Sequence, residues 1–88
     1  MGTINYVAPE MIQKNAASMA TDIWSLGCII YKLLTGNVPF TGTNSYLVFQ
    51  KILKKDLEYP EFLSVDAVAL IDSLLMLNPI ERLGAPGS

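Results

Sequence analysis

The sequence predicts an all-α unit, and three features of the 88-residue chain carry that expectation. From Asp22 to Gly36 it is apolar almost without interruption and is bracketed by a helix start and a helix stop. Two later stretches, 44–55 and 65–77, repeat apolar residues three and four apart, the spacing that builds one face of a helix. No stretch reads as a strand, so four helices are expected to pack on one another without a sheet.

Taken in order, Gly2 to Val7 favours extended backbone and lacks a helical period, so an extended loop is expected there. Pro9 suits the first position of a short helix, Glu10 to Gln13, because its missing N–H is not needed at that point. Lys14 to Ala20, rich in small residues, reads as a connection to the central helix. In that helix Asp22 is expected to cap, accepting an unpaired first-turn N–H and setting its charge at the positive end of the dipole. Gly36 supplies a left-handed stop, with Pro39 just beyond. Between them Ile23, Trp24, Leu26, Cys28, Ile29, Ile30, Tyr31, Leu33 and Leu34 cover nearly the whole circumference, the mark of a helix that sits inside something. Ser25, Lys32 and Thr35 interrupt a run already short of the ~20 apolar residues that span a bilayer. A chain of this length buries only ~60–65% of the surface its unfolded form exposes, too little to cover such a helix on every side. Part of a larger domain, folding poorly by itself, is therefore expected.

Asn37 to Gly42 has turn chemistry, with Phe40 available to pin the loop to the core. A third helix is expected from Asn44 or Ser45 to about Lys55, with Tyr46, Val48, Phe49, Ile52 and Leu53 on the apolar side and Gln50, Lys51, Lys54 and Lys55 in water. Asp56 to Leu63 reads as loop, with Pro60 as helix breaker. Ser64 then caps a fourth helix, Val65 to Leu77, turning Val68, Ile71, Leu74 and Leu75 inward and Asp66, Asp72 and Ser73 outward. Asn78 and Pro79 end it, and Ile80 to Ser88 carries no further helix or strand.

Composition removes several classes of function. With 51% hydrophobic and 16% charged residues and a net charge of -2, the chain has the make-up of a folded protein. Six Lys plus Arg against eight Asp plus Glu leave no basic field for nucleic acid or for a membrane surface. Cys28 is the sole cysteine and there is no His, which excludes an internal disulfide and a zinc site. Tyr6 stands where N-myristoylation of Gly2 requires Ser or Thr, and no secretory signal opens the chain. A cytoplasmic protein is expected. The sequence also lacks a Gly-x-Gly-x-x-Gly loop, a Walker lysine and a Cys/His pair, and its four Asp and four Glu are scattered. Composition and periodicity by themselves point to no reaction.

An ordered series of short words is more specific. Gly2-Thr3, the run from Tyr6 through Ala8-Pro9-Glu10, the run from Asp22 through Trp24 to Gly27, the run from Gly36 through Pro39-Phe40, and Asn78-Pro79 with Arg82-Leu83-Gly84 follow one another along the chain. In order and spacing they closely resemble the second half of the large lobe of eukaryotic Ser/Thr protein kinases. The likeness is strongest to the AGC group. Cys28 to Tyr31 and Tyr46 to Ile52 narrow it to the phosphoinositide-dependent branch. The resemblance covers essentially all of residues 1–88, as a partial kinase domain running from the end of the activation segment to the loop after the fourth helix. The parent fold would be α+β, this piece of it all-α.

What the resemblance implies can be set beside plainer readings. Thr3 matches the threonine of the loop that seats the residue after the phosphoacceptor, a supporting position in catalysis; otherwise it is a loop Thr bonding its own backbone. Glu10 matches the glutamate of the Ala-Pro-Glu word and Arg82 its buried arginine partner; otherwise they are two surface charges. Asp22 matches the aspartate that holds the backbone of the catalytic loop, a role compatible with capping. Trp24 and Cys28 read as core residues. Lys51, Lys54 and Lys55 read as a solvated face ahead of a docking face.

A complete kinase transfers the γ-phosphate of ATP, with Mg, to Ser or Thr of protein substrates, which for this branch are other AGC kinases. It needs a Gly-rich loop, a strand lysine, a catalytic Asp and Asn, and a magnesium-binding Asp. None of these words is in the sequence, so no residue of this chain is expected to bind ATP or metal and the chain alone is expected to be inactive. Two alternatives stand beside that reading: a non-catalytic helical interaction module that binds a partner through its third helix and the exposed sides of its core helix, and a truncated kinase remnant.

Overall fold

The computed structural model describes residues 4–14 and 17–83. Four helices, α1 (Pro9–Gln13), α2 (Met19–Thr35), α3 (Ser45–Lys54) and α4 (Val65–Leu74), are joined by loops and flanked by 3-10 turns at Ile4–Tyr6 and Pro79–Glu81. Among the described residues there is no strand, and the chain is all-α. The first 3-10 turn replaces the extended loop expected up to Val7, closed by the Val7 N–H donating to the Ile4 carbonyl at 3.2 Å. The second stands where no further helix was expected. There the Asn78 side chain accepts the Ile80 N–H at 3.1 Å, and Pro79 fits a first helical position.

α2 is the axis of the molecule and packs on α4 and on both 3-10 turns. It begins at Met19, a turn earlier than the sequence suggested, because Ser18 and not Asp22 is the cap. Ser18 Oγ accepts the Ala20 N–H at 3.2 Å and the Ser18 N–H donates back to Thr21 Oγ1 at 3.1 Å. Two first-turn donors are thereby satisfied without a carboxylate. Asp22 is exposed within the first turn. At the other end Gly36 takes φ 83°, the left-handed stop expected of it, and its N–H reaches the Lys32 carbonyl at 2.8 Å.

The burial of α2 is one-sided, in line with the expectation that a chain of this length cannot cover so apolar a helix on every side. Ala20, Trp24, Gly27, Cys28 and Tyr31 are buried, whereas Leu26, Ile29, Leu33 and Leu34 are exposed. Trp24 stacks on Phe40, ring centroids 5.7 Å apart and planes 12° from parallel, so Phe40 does pin the following loop to the core. Val48 and Ile52 of α3 and Ile71 and Leu75 of the α4 region complete that core. Gly27 lets α4 approach: a Cβ there would lie 2.9 Å from Leu75 Cδ2 and 3.0 Å from Leu74 Cβ.

α3 lies where the periodicity put it, with Asn44 accepting the Leu47 N–H at 3.0 Å and Lys55 as a left-handed cap at φ 54°. Tyr46 is on the exposed side, not the apolar side expected. α4 starts at its Ser64 cap but stops at Leu74, short of Leu77. Its C-terminal carbonyls are claimed from outside the helix: Ser73 by the Leu83 N–H at 2.9 Å, and the next turn's Met76 by Arg82 Nε at 2.8 Å.

Candidate functional site

The second 3-10 turn delivers Arg82 into the interior, where it is fully buried. A buried guanidinium must spend its donors, and four bonds do so here. Nη1 donates to Glu10 Oε2 and to the Ala20 carbonyl, both at 2.7 Å; Nη2 donates to Glu10 Oε1 at 2.8 Å; Nε donates to the Met76 carbonyl at 2.8 Å. The fork therefore grips the carboxylate through both oxygens. The indole of Trp24 covers one face of the cation, 5.0 Å from its ring centroid.

Glu10 reaches this position because Pro9, buried as the first residue of α1, fixes where the helix starts. Its carboxylate is mostly buried, and Thr21 of α2 adds a third donor, Oγ1 to Oε2 at 2.8 Å. Burial pushes the Glu10 carboxyl up. The hydrogen bonds from Arg82, from its own backbone and from Thr21, together with the Arg82 charge, outweigh that and hold it below the usual value. The pair closes a loop 72 residues long and ties α1, the start of α2 and the segment after α4 into one clamp.

The chain just before α1 is pinned as well. Asn5 Nδ2 donates to the Phe40 carbonyl at 2.7 Å, and Ser25 Oγ donates to the Tyr6 carbonyl at 3.2 Å. With Glu10 clamped, Ile4 to Ala8 is held from the α2–α3 loop, from the side of α2 and from the end of the chain. This arrangement positions a segment of backbone. The Cys28 thiol, pushed up to about 12 by burial against the smaller pull of Arg82, is a core group as expected.

Of the residues singled out in the sequence, Glu10 and Arg82 are brought into direct contact. Asp22 takes no part in their hydrogen bonds and lies on the exposed side of α2, in line with Leu26, Ile29 and Leu33 at spacings of four, three and four. Thr3 lies outside the described residues. Lys55 pairs with Asp72 at 2.7 Å, and Lys51 lines a cleft with Asp56 and Glu58, so neither of these two stands as an isolated positive charge. The sequence reading missed Thr21 and Ser18, whose Ser-x-x-Thr spacing is a weakened form of the capping-box signature, and the carbonyls of Ala20 and Met76, which carry no sequence signal. Among the described residues no group of three or more acidic, Cys or His side chains converges. No described helix is long and apolar enough to cross a membrane.

The protein kinase domain family matches residues 1–87. A Cryptococcus neoformans protein named serine/threonine-protein kinase PDK1 is 43% identical over 79 residues, 90% of this chain and 6% of that protein. The human 3-phosphoinositide-dependent protein kinase 1 is 44% identical over 84 residues, 96% of this chain and 15% of its own length. A Candida albicans Aurora kinase is 43% identical over 82 residues, 93% of this chain and 16% of that protein. The chain thus spans well under a quarter of each of these relatives.

Proposed function

Because this chain belongs to the protein kinase domain family, in its Ser/Thr branch and most like the 3-phosphoinositide-dependent kinases, we propose that it is the substrate-positioning part of a kinase large lobe. The activity it serves is transfer of the γ-phosphate of ATP, with Mg, to Ser or Thr of protein substrates, other AGC kinases among them, in the cytoplasm. The observation that carries this reading is the Glu10–Arg82 clamp, which fixes the backbone leading out of Thr3 against α2. In this role Thr3 seats the residue after the phosphoacceptor, Glu10 and Arg82 hold that loop in place, and Asp22 holds the catalytic loop by accepting backbone N–H groups on the exposed side of α2. The carboxylate of Asp22 among exposed Leu26, Ile29 and Leu33 supports this: it is an acceptor set in an apolar face, suited to covering backbone. ATP and Mg are held by segments that this sequence does not contain, so the chain alone transfers no phosphate.

The experiment is phosphate transfer from labelled ATP to a protein substrate by two preparations. One is the 88-residue chain; the other is that chain fused behind the ATP-binding half of the human relative's kinase domain. The fusion is expected to be active and to lose most activity with Thr3→Ala, while the chain alone is silent. Transfer by the chain alone would overturn the assignment of ATP binding elsewhere. A folded but inactive fusion would overturn the positioning role and favour the interaction-module reading, for which the exposed apolar side of α2 is the specific observation.

A further inference from the structure

The ion pair does not orient itself. Ala20 and Thr21, consecutive residues in the first turn of α2, present one acceptor and one donor side by side: the Ala20 carbonyl takes Arg82 Nη1 at 2.7 Å and the Thr21 hydroxyl gives to Glu10 Oε2 at 2.8 Å. We propose that Thr21 is a positioning residue for Glu10, aiming its carboxylate so that both oxygens meet the Arg82 fork.

A single proton decides which way the Thr21 hydroxyl acts. A threonine hydroxyl has one hydrogen to donate and two lone pairs. Oγ1 already accepts the Ser18 N–H at 3.1 Å as the return half of the α2 capping box, which orients the hydroxyl and leaves its hydrogen for Glu10. Oε2 then receives Thr21 and Nη1 together, while Oε1 receives Nη2. Without the Thr21 bond only the Arg82 fork resists rotation about the last carboxylate torsion, which is broad and roughly two-fold, and the two-point grip gives way more readily to a one-point one. The start of α2 thereby sets the place of α1. This inference rests on the hydrogen-bond geometry and holds whether or not the kinase reading does.

The groups facing Glu10 are Arg82, from the segment after α4, and Thr21, from α2; on its own element Lys14 follows, donating its backbone N–H to the Glu10 carbonyl at 2.9 Å. The test is the NMR titration of the Glu10 carboxyl carbon in the whole 88-residue chain, in an osmolyte that keeps the folded state populated, for the native protein, Thr21→Ser and Thr21→Val. Losing the capping bond to Ser18 costs the same at every pH, so it does not move this titration; losing the bond to ionised Glu10 does. Thr21→Val is expected to raise the Glu10 titration by about 0.5–1 pH unit and Thr21→Ser to restore it. A Val variant that titrates with the native protein, or a Ser variant that titrates with Val, overturns the proposal. If Val is too unstable to titrate, the urea midpoints of Thr21→Ser and Thr21→Ala decide it. The gap between them narrows as pH falls through the Glu10 titration if the hydroxyl acts through Glu10, and stays constant if it acts through the cap alone.

Discussion

Arg82 is the residue whose loss the molecule is least able to absorb. It is fully buried and its donors reach three separate segments, so truncation leaves a carboxylate and two carbonyls without their partners. Removing one member of a buried pair typically costs ~3–5 kcal/mol, and Arg82→Ala is expected to destabilise by that order in urea unfolding at pH 7. Arg82→Lys keeps the charge but not the fork, and should recover only part of the loss. The Glu10 carboxyl is held below its ordinary value, so its contribution is present above the unfolded carboxylate value of about 4.3 and fades as pH falls through the folded one. Urea midpoints should therefore drop on acidification in the native chain and drop less in Glu10→Gln; parallel curves would contradict this. Both members of the pair were legible in the sequence because each sits in a distinctive word. Thr21 was not, since a threonine three residues into a helix looks like any other until its neighbours in space are known.

Among the elements, the junction of α2 and α4 is set by Gly27. Mid-helix glycine is a weak choice, and replacing it by alanine would gain ~0.5–1 kcal/mol in an exposed helix. Here the new Cβ would meet Leu74 Cβ at 3.0 Å and Leu75 Cδ2 at 2.9 Å. The Leu75 methyl can swing aside, but the Leu74 Cβ moves only with α4 itself. Overpacking of this kind costs ~1–3 kcal/mol, which exceeds the helix gain, so Gly27→Ala is expected to lower stability by about 1–2 kcal/mol. A thermal midpoint at or above the native value would show that α4 shifts freely. Two helix ends were misplaced by periodicity, each for its own reason. At the start of α2 an acidic residue, Asp22, looked like the cap because its type and position fit, while the actual cap, Ser18, carries only the weakened Ser-x-x-Thr form of the capping-box signature within a run of small residues. At the end of α4 the apolar run continues to Leu77, yet the helix stops at Leu74, where the Leu83 N–H takes the Ser73 carbonyl that Leu77 would need. Local signals placed α1 and α3; the start of α2 follows its own capping box, a signature weakened by Thr in place of Glu or Gln, and the end of α4 meets distant partners that left no local trace.

At the scale of the whole molecule, the sequence foresaw that this chain is too small to enclose its central helix, and the structure places that shortfall on one side of α2. Leu33 is 76% exposed, and Ile29 and Leu26 lie on the same face one and two turns before it. Water is an unfavourable neighbour for such a stripe, and covering one leucine or isoleucine contributes roughly 1.5–3 kcal/mol. In relatives, of which the chain spans a small share, further polypeptide is available for that purpose. For the chain in isolation the readiest cover is a second copy. It is therefore expected to show a broad thermal transition and to associate with rising concentration in sedimentation velocity. Ile29→Lys with Leu33→Lys should weaken that association by about a hundredfold, each lost apolar contact being worth roughly a factor of ten, while leaving helix content unchanged, because neither side chain belongs to the buried core. A native chain that stays monomeric and melts in one sharp transition would mean that the Trp24–Phe40 core and the Arg82 clamp suffice without cover on that face. If instead the lysine substitutions leave the association intact, the contact lies on another face, and α2's apolar side has no part in holding the copies together.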